Sequence, residues 1–282
     1  MNTPGEDASI TAWLRRGTGQ LATTSGSAHL DAEILLATLL HKPRSFLLAC
    51  GEQPLQADII ARYQSWLARR GAGEPLAYIT GRREFWSLPL RVTPAVLVPR
   101  PESELLVQRA LALLPDAQAE IADLGTGSGA IALACARERP HWRITATDIS
   151  TAALEVAAAN ADSLALPNVQ FVQGEWFKPL TDRRFQLLLS NPPYVGAGDP
   201  ALAELRFEPH AALASGADGM DALRLICAGA PQHLLPGGWL VLEHGAAQAA
   251  ALAALLVAHG FAHVRCHTDL AGLDRVTEAQ WP

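Results

Sequence analysis

The chain has 282 residues, of which 49% are apolar and 18% are charged, and its formal net charge is −6. This length accommodates one large domain or two ordinary domains with a substantial core, and the composition excludes a largely disordered chain. The four cysteines are widely spaced and predict neither a disulfide framework nor a zinc site, so we expect a cytoplasmic protein without a bound metal.

The sequence argues against membranes and nucleic acids as partners. No apolar run reaches the roughly 18 residues that a membrane-spanning helix needs, and the acidic start does not resemble a signal peptide. Residues 1–99 carry 10 basic and 8 acidic side chains, whereas residues 100–282 carry 12 and 20. Because a duplex-binding surface needs several cations opposite the phosphates, we expect no nucleic-acid substrate.

The first part of the chain, residues 1–85, has the pattern of a small helical domain. Apolar residues recur at helical spacing after Ser27, which predicts a helix that this serine caps and that ends at Leu40. A second helical pattern begins after Pro54 and ends at Gly71.

Residues 86–99 are the predicted linker between two domains. Leu88, Leu90 and Val92 alternate with other residues as in an extended segment, and several prolines follow. We therefore expect an extended or hairpin linker here and a second domain over residues 100–282.

In this second domain, short apolar strands alternate with alanine-rich helices. The predicted strands cover residues 121–124, 143–147, 169–172, 186–189 and 239–242, and the segments 261–266 and 275–277 predict a terminal hairpin. Alternation of this kind indicates an α/β fold with a doubly wound, Rossmann-like parallel sheet that helices cover on both faces.

A glycine-rich loop lies where the first strand of this domain passes to a helix. Its candidate cofactor-binding residues are Asp123, Gly125, Thr126, Gly127, Ser128 and Gly129, and Asp148 follows at the distance typical of a carboxylate that binds ribose hydroxyls. The loop also fits the dinucleotide pattern GxGxxA, so by itself it leaves NAD, or a turn without a ligand, open. Asp123 would repel a pyrophosphate but favours the cationic groups of S-adenosylmethionine, which we therefore expect as cofactor.

The tetrad Asn191-Pro192-Pro193-Tyr194 follows the strand predicted at residues 186–189. Because prolines have no N–H, their carbonyls and the Asn191 side-chain oxygen are free to accept hydrogen bonds, and Tyr194 offers an aromatic face. Such a site suits a planar –NH2 group, whose nitrogen must become pyramidal before it attacks a sulfonium methyl. We therefore expect Asn191, Pro192 and Tyr194 to act in methyl transfer to an amide or exocyclic amine.

These motifs resemble the release factor glutamine methyltransferases of the PrmC/HemK family. The similar segments are residues 73–81, 84–85, 98–102, 123–129, 174–177, 191–194, 208–210, 216–219, 237–238 and 243–245. Two positions depart from the family pattern, because Ser103 stands where threonine is usual and Glu175 stands where aspartate is commoner.

The resemblance implies a class I methyltransferase fold and methylation of the side-chain amide nitrogen (N5) of the glutamine in the Gly-Gly-Gln motif of bacterial class 1 peptide-chain release factors. It implies that the glycine loop lines the cofactor, Asp148 binds ribose, and Trp176 packs near adenine. Residues 191–194 are expected to receive the glutamine amide, and Asn191 is also expected to contact the cofactor. We expect a monomer in which residues 1–85, which carry no cofactor motif, recognise the substrate. A glutamine of a ribosomal protein, an amino group of a nucleic acid and a non-catalytic binding scaffold remain alternatives.

Overall fold

The computed structural model describes residues 8–114 and 118–282, and the chain divides into two compact units between Gly81 and Arg82. This division falls slightly before the boundary predicted at residue 85. The linker predicted over residues 86–99 belongs to the second unit, because Leu88 and Leu90 are buried in the core of that unit.

The described residues of the first unit form five helices around a small apolar core. The helices are α1 (Ile10–Leu21), α2 (Ala28–Leu40), α3 (Arg44–Ala49), α4 (Ala57–Gly71) and α5 (Leu76–Thr80). Tyr63 is fully buried, and its hydroxyl donates to the carbonyl of Ala32 at 3.1 Å. Ser27 stands at the N-cap of α2, but the predicted capping hydrogen bond is wrong: its hydroxyl donates to the Asp31 carboxylate at 3.0 Å.

The second unit begins with a β-hairpin, which is one of the two forms expected for the linker, although it starts before residue 86. Its strands are β1 (Arg82–Phe85) and β2 (Leu88–Arg91), which pair antiparallel. Trp86 and Ser87 connect them with φ angles of 52° and 58°, so both residues of this two-residue turn lie in the left-handed region.

The remaining strands of this unit form one mixed sheet. They are β3 (Glu120–Leu124), β4 (Arg143–Asp148), β5 (Val169–Gln173), β6 (Phe185–Ser190), β7 (Leu234–Glu243), β8 (Ala262–Thr268) and β9 (Asp274–Gln280). Their order is β5-β4-β3-β6-β7-β9-β8, in which β3 to β7 run parallel and β9 runs antiparallel. Each predicted strand is present, β8 and β9 form the predicted hairpin, and β7 begins earlier than predicted.

Helices cover both faces of this sheet, as the alternation predicts. They are α6 (Glu104–Leu113), α7 (Ala130–Glu138), α8 (Thr151–Leu164), α10 (Asp221–His233) and α11 (Ala249–Ala258), while the four-residue helix α9 (Ala201–Glu204) has no buried residue and lies in the connection between β6 and α10. Successive residues of β3 point to opposite faces: Ile121 joins the core under α6 and α7, and Ala122 joins the core under α10 and α11. Among the described helices, none is long and apolar enough to cross a membrane.

The strand order opens a crevice at one edge of the sheet. β4 and β6 flank β3 on opposite sides, so the chain winds outward in two directions from this point. In open parallel sheets, ligands bind at the carboxyl ends of the strands at such a reversal. Leu124, Asp148 and Ser190 end the three strands here, and the predicted motifs follow directly after them.

Candidate active site

A cavity of about 480 Å³ lies beyond the carboxyl ends of β3, β4 and β6. Eight of the residues predicted from the sequence line it: Gly125, Thr126, Gly127, Ser128, Asp148, Trp176, Asn191 and Pro193. Asp123, Gly129, Pro192 and Tyr194 are not part of the lining. The fold therefore gathers most of two motifs that are more than sixty residues apart in the sequence.

Three backbone amides of the glycine loop donate hydrogen bonds to other groups of the protein. Those of Gly125 and Thr126 both donate to the Thr147 carbonyl at 2.9 Å, and the amide of Gly127 donates to Asp148 Oδ2 at 2.9 Å. A pyrophosphate needs free amides at a helix N-terminus. Because these amides are already used, the loop geometry argues against the dinucleotide that its glycine pattern left open.

Asp148 is half-buried and presents its carboxylate to the cavity. Oδ2 accepts the Gly127 amide, and Oδ1 accepts the amide of Ser150 at 2.9 Å. Each carboxylate oxygen has two lone pairs, so each can still accept a hydroxyl proton. This arrangement fits the pair of ribose hydroxyls of an adenosyl group.

Asp123 lies behind the loop and is fully buried. The hydroxyl of Thr126 donates to Oδ2 at 2.6 Å, whereas Oδ1 makes no hydrogen bond of normal geometry within the described residues. Burial raises the pKa of Asp123 to about 7, although Thr126 and the backbone amide of Ala132 favour the ionised form. An incompletely satisfied buried carboxylate beside the cavity complements a cationic cofactor through its field rather than by direct contact.

Trp176 forms another part of the cavity wall. It is half-buried with a φ of 49°, and a Cβ added to Gly125 would lie 3.6 Å from its ring. The loop backbone and the indole therefore approach each other closely, and a larger residue than glycine at position 125 would begin to fill the space between them. The loop, the indole and Asp148 together suit an aromatic base attached to a ribose.

Asn191 directly follows β6 and has a fixed orientation. Its Nδ2 lies 3.1 Å from the Ser103 Oγ, to which it donates. This contact leaves Oδ1 available as an acceptor at the cavity, and Pro193 lies beside it in the lining. Tyr194 instead directs its hydroxyl to Glu243 Oε1 at 3.2 Å.

Ser103 and Glu243 belong to the site, although the sequence analysis noted them only as positions in the family pattern and gave neither a role in the site. The Ser103 hydroxyl donates to Glu243 Oε2 at 2.6 Å, and Glu243 is buried at the end of β7. Burial raises the pKa of Glu243 to about 7, although the hydrogen bonds from Ser103 and Tyr194 lower this pKa. An acidic residue that ends a strand beside the tetrad strand is the signal that could have revealed it.

The segment predicted as a linker forms a wall of the cavity. Residues 95–97, Pro99 and Arg100 line it from one side, and the loop at residues 209–214 lines it from another. Buried Glu208 joins the two walls, because it accepts the Val98 amide at 3.0 Å and forms an ion pair with Arg100. Within the described residues there is no cluster of side chains that could hold a metal ion.

The strand order, the ribose-suited carboxylate and the internally bonded glycine loop define this unit as a class I methyltransferase that uses S-adenosylmethionine. Comparisons with known families agree. Residues 101–259 match the methyltransferase small domain, and residues 12–81 match the PrmC N-terminal domain.

Comparison with individual relatives is more specific. The chain is 51% identical to the release factor glutamine methyltransferase of Pseudomonas aeruginosa over 259 residues, which is 91% of this chain and 94% of the relative. It is 49% identical to the enzyme of the same description from Xylella fastidiosa over 264 residues, 93% of this chain and 96% of the relative. The chain belongs to the release factor glutamine methyltransferase family, and the resemblance seen in its motifs is confirmed.

Solved structures resemble this chain in fold only. A methyltransferase from Pyrococcus furiosus superposes with a TM-score of 0.55 at 18% identity and covers 78% of this chain and 98% of its own. The predicted α/β methyltransferase fold is confirmed by this match and by the two family matches.

Proposed function

We propose that this enzyme methylates the side-chain amide nitrogen (N5) of the glutamine in the Gly-Gly-Gln motif of bacterial class 1 peptide-chain release factors. The observation that carries the chemistry is the orientation of Asn191, whose Nδ2 is held by Ser103 so that Oδ1 is left for a ligand at the cavity. The names of relatives that match over nine-tenths of the chain support the choice of substrate.

The cofactor side of the cavity suits S-adenosylmethionine. Asp148 would hold the ribose hydroxyls, Trp176 would pack near adenine, and residues 125–128 would line the remainder. When bound, the cofactor supplies a methyl group on a positively charged sulfur. When ionised, the buried carboxylate of Asp123 favours that charge through the low-dielectric interior, and a cationic cofactor in turn favours the ionised form.

On the substrate side, the protein must make a poor nucleophile reactive. An amide nitrogen is a weak nucleophile because its lone pair is delocalised into the carbonyl group. Asn191 Oδ1 would accept one N–H of the substrate amide, and a carbonyl of the following prolines would accept the other. Acceptors that hold both protons favour the pyramidal nitrogen, and this contact is strongest in the transition state.

Selection of the protein substrate requires contacts beyond the cavity. A glutamine side chain has too little surface to distinguish one protein from another. None of the described residues before Gly81 belongs to the cavity lining, and this helical unit carries no cofactor motif, so we assign recognition of the release factor to it. The enzyme would act as a monomer in the cytoplasm, where release factors function, and without a nucleic-acid partner.

A substrate comparison tests this function. The protein is incubated with labelled S-adenosylmethionine and, separately, with a release factor, the ribosomal proteins or ribosomal RNA. We expect label in the release factor alone, and none in a matched release factor whose motif glutamine is replaced by asparagine. Label at a similar rate in RNA, in a ribosomal protein or in the asparagine variant would contradict the proposal.

A further inference from the structure

Glu243 and Asn191 lie side by side at the carboxyl ends of the neighbouring strands β7 and β6. In the sheet, Ser190 of β6 pairs with Leu242 of β7, so the next residue of each strand emerges at the same edge. Glu243 is only 1% exposed, although it lies next to the cavity. A buried carboxylate is unfavourable for folding unless its partners compensate for the lost hydration, so the contacts of Glu243 reveal why it is there.

A directed chain of hydrogen bonds runs from Glu243 to Asn191. Above the pKa of Glu243 its carboxylate is ionised and can only accept, so the single hydroxyl proton of Ser103 goes to Glu243 Oε2 at 2.6 Å. The Ser103 oxygen must then accept from its other neighbour, which is Asn191 Nδ2 at 3.1 Å. The negative charge of Glu243 therefore determines which end of the Asn191 carboxamide faces Ser103.

The same carboxylate also holds the far end of the tetrad. The hydroxyl of Tyr194 donates to Glu243 Oε1 at 3.2 Å. Burial and the nearby charge of Glu243 both raise the pKa of Tyr194, so this hydroxyl stays protonated and remains a donor. One oxygen of Glu243 thus positions Asn191 through Ser103, and the other positions Tyr194 directly.

We propose that Glu243 is a positioning residue of the methyl-transfer site, which acts through Ser103 to turn Asn191 Oδ1 toward the substrate nitrogen. This inference rests on the proposed function, because it gives a role in that reaction to two residues that do not themselves receive the substrate amide. It requires the charge of Glu243 and the hydroxyl of Ser103, not merely their volume.

Neutralising Glu243 would remove the constraint that sets the donor and acceptor roles in the hydrogen bonds from Glu243 through Ser103 to Asn191. In Glu243→Gln, the new amide can donate to the Ser103 oxygen. The Ser103 hydroxyl is then free to donate to Asn191 Oδ1, which favours the flipped carboxamide. The flipped form presents N–H groups, instead of an acceptor, to a substrate that is itself a donor.

The test compares Glu243→Gln, Ser103→Ala and Ser103→Thr with the wild-type enzyme. We expect kcat to fall about 10–100-fold in the first two variants, the range that follows from a misplaced reacting group. The affinity for S-adenosylmethionine should change little, because neither residue lies among those assigned to the ribose and adenine. The KM for release factor should also change little, because the helical unit is assigned its recognition and the Asn191 contact is strongest in the transition state. Ser103→Thr keeps the hydroxyl and should restore most of kcat. Wild-type kcat in folded Glu243→Gln and Ser103→Ala would overturn the proposal.

A second measurement needs neither substrate nor turnover. In asparagine-labelled protein, NMR follows hydrogen exchange of the Asn191 side-chain NH2 group. We expect slow exchange in the wild type and in Ser103→Thr, and faster exchange or a shifted resonance in Ser103→Ala and Glu243→Gln. An unchanged Asn191 signal in both of the latter variants would overturn the positioning role. If the wild-type enzyme fails to methylate release factor but the Asn191 signals respond as expected, the proposed function fails and the positioning role does not.

Discussion

Replacing Asn191 by alanine removes the side-chain oxygen that the tetrad leaves available at the cavity. For folding, the variant loses one half-buried hydrogen bond, the 3.1 Å contact to Ser103, which contributes about 1 kcal/mol to stability. For catalysis, it loses an acceptor that matters most in the transition state, and such losses typically lower the rate about 10²–10³-fold. The rate should therefore fall far more than the stability.

Two control variants separate these effects. Asn191→Asp keeps the shape and the acceptors but adds a charge that favours the cationic ground state, so we expect partial activity. Asn168→Ala is the matched structural control, because the Asn168 Nδ2 contacts the carbonyls of Ala136, Arg139 and Trp142 at 3.2–3.4 Å, outside the cavity lining. It should lower the melting temperature more than Asn191→Ala while kcat stays near the wild-type value.

The assay is single-turnover methyl transfer to the release factor, with calorimetric cofactor binding and thermal unfolding measured on the same samples. In Asn191→Ala, the free energy of cofactor binding should weaken by no more than the contribution of one hydrogen bond, on the order of 1 kcal/mol. Near-wild-type transfer by a folded Asn191→Ala enzyme would refute the role of this residue, and an equal rate loss in Asn168→Ala would show a purely structural effect.

Three further predictions concern the loop, its buried carboxylate and the helical unit. Gly127 and Gly129 have positive φ angles (56° and 83°), a conformation that costs alanine about 1–2 kcal/mol, so Gly127→Ala and Gly129→Ala should both unfold at lower temperature. Calorimetry should show weaker cofactor binding only for Gly127→Ala, since Gly127 lines the cavity and Gly129 does not. Burial raises the pKa of Asp123 from 3.8 to about 7, so between these values the folded state keeps a proton that the unfolded state has lost. Stability should therefore fall as the pH rises from about 4 to 7, by up to a few kcal/mol from this group, and urea midpoints of Asp123→Asn should show a smaller decline. Deletion of residues 1–81 should leave cofactor binding by residues 82–282 largely intact and sharply lower kcat/KM for the release factor; full activity of the truncated enzyme would rule out recognition by the helical unit.

Much of the fold is predictable because it depends on local patterns. The strands around residues 121–124 and 143–147 are short apolar runs between turn residues, and the structure gives both with similar bounds. The hairpin turn at Trp86 and Ser87 is different, because neither residue is the glycine or asparagine that usually marks positive φ. Burial of Leu88 and Leu90 overrides that local preference and draws the predicted linker into the second unit.

The site is predictable only where one short segment contains it. The glycine loop and the tetrad each carry their chemistry within a few residues, so the sequence suffices to propose them. The contact between Ser103 and Glu243 joins positions 140 residues apart, and no spacing rule connects such positions before the sheet is assembled. The burial of Asp123 behind the loop is likewise a result of packing, which the sequence pattern alone does not give.

The position of the transferred methyl group is the most direct measurement of what this enzyme does. A release factor labelled with ¹⁵N in its glutamine side chains is incubated with the enzyme and S-adenosylmethionine carrying a ¹³C methyl group, and NMR with tandem mass spectrometry locates the product. We predict one ¹³C methyl bonded to the ¹⁵N side-chain nitrogen of the glutamine in the Gly-Gly-Gln motif. A methyl group on any other residue, on a backbone nitrogen, or on no part of the release factor would contradict the assignment.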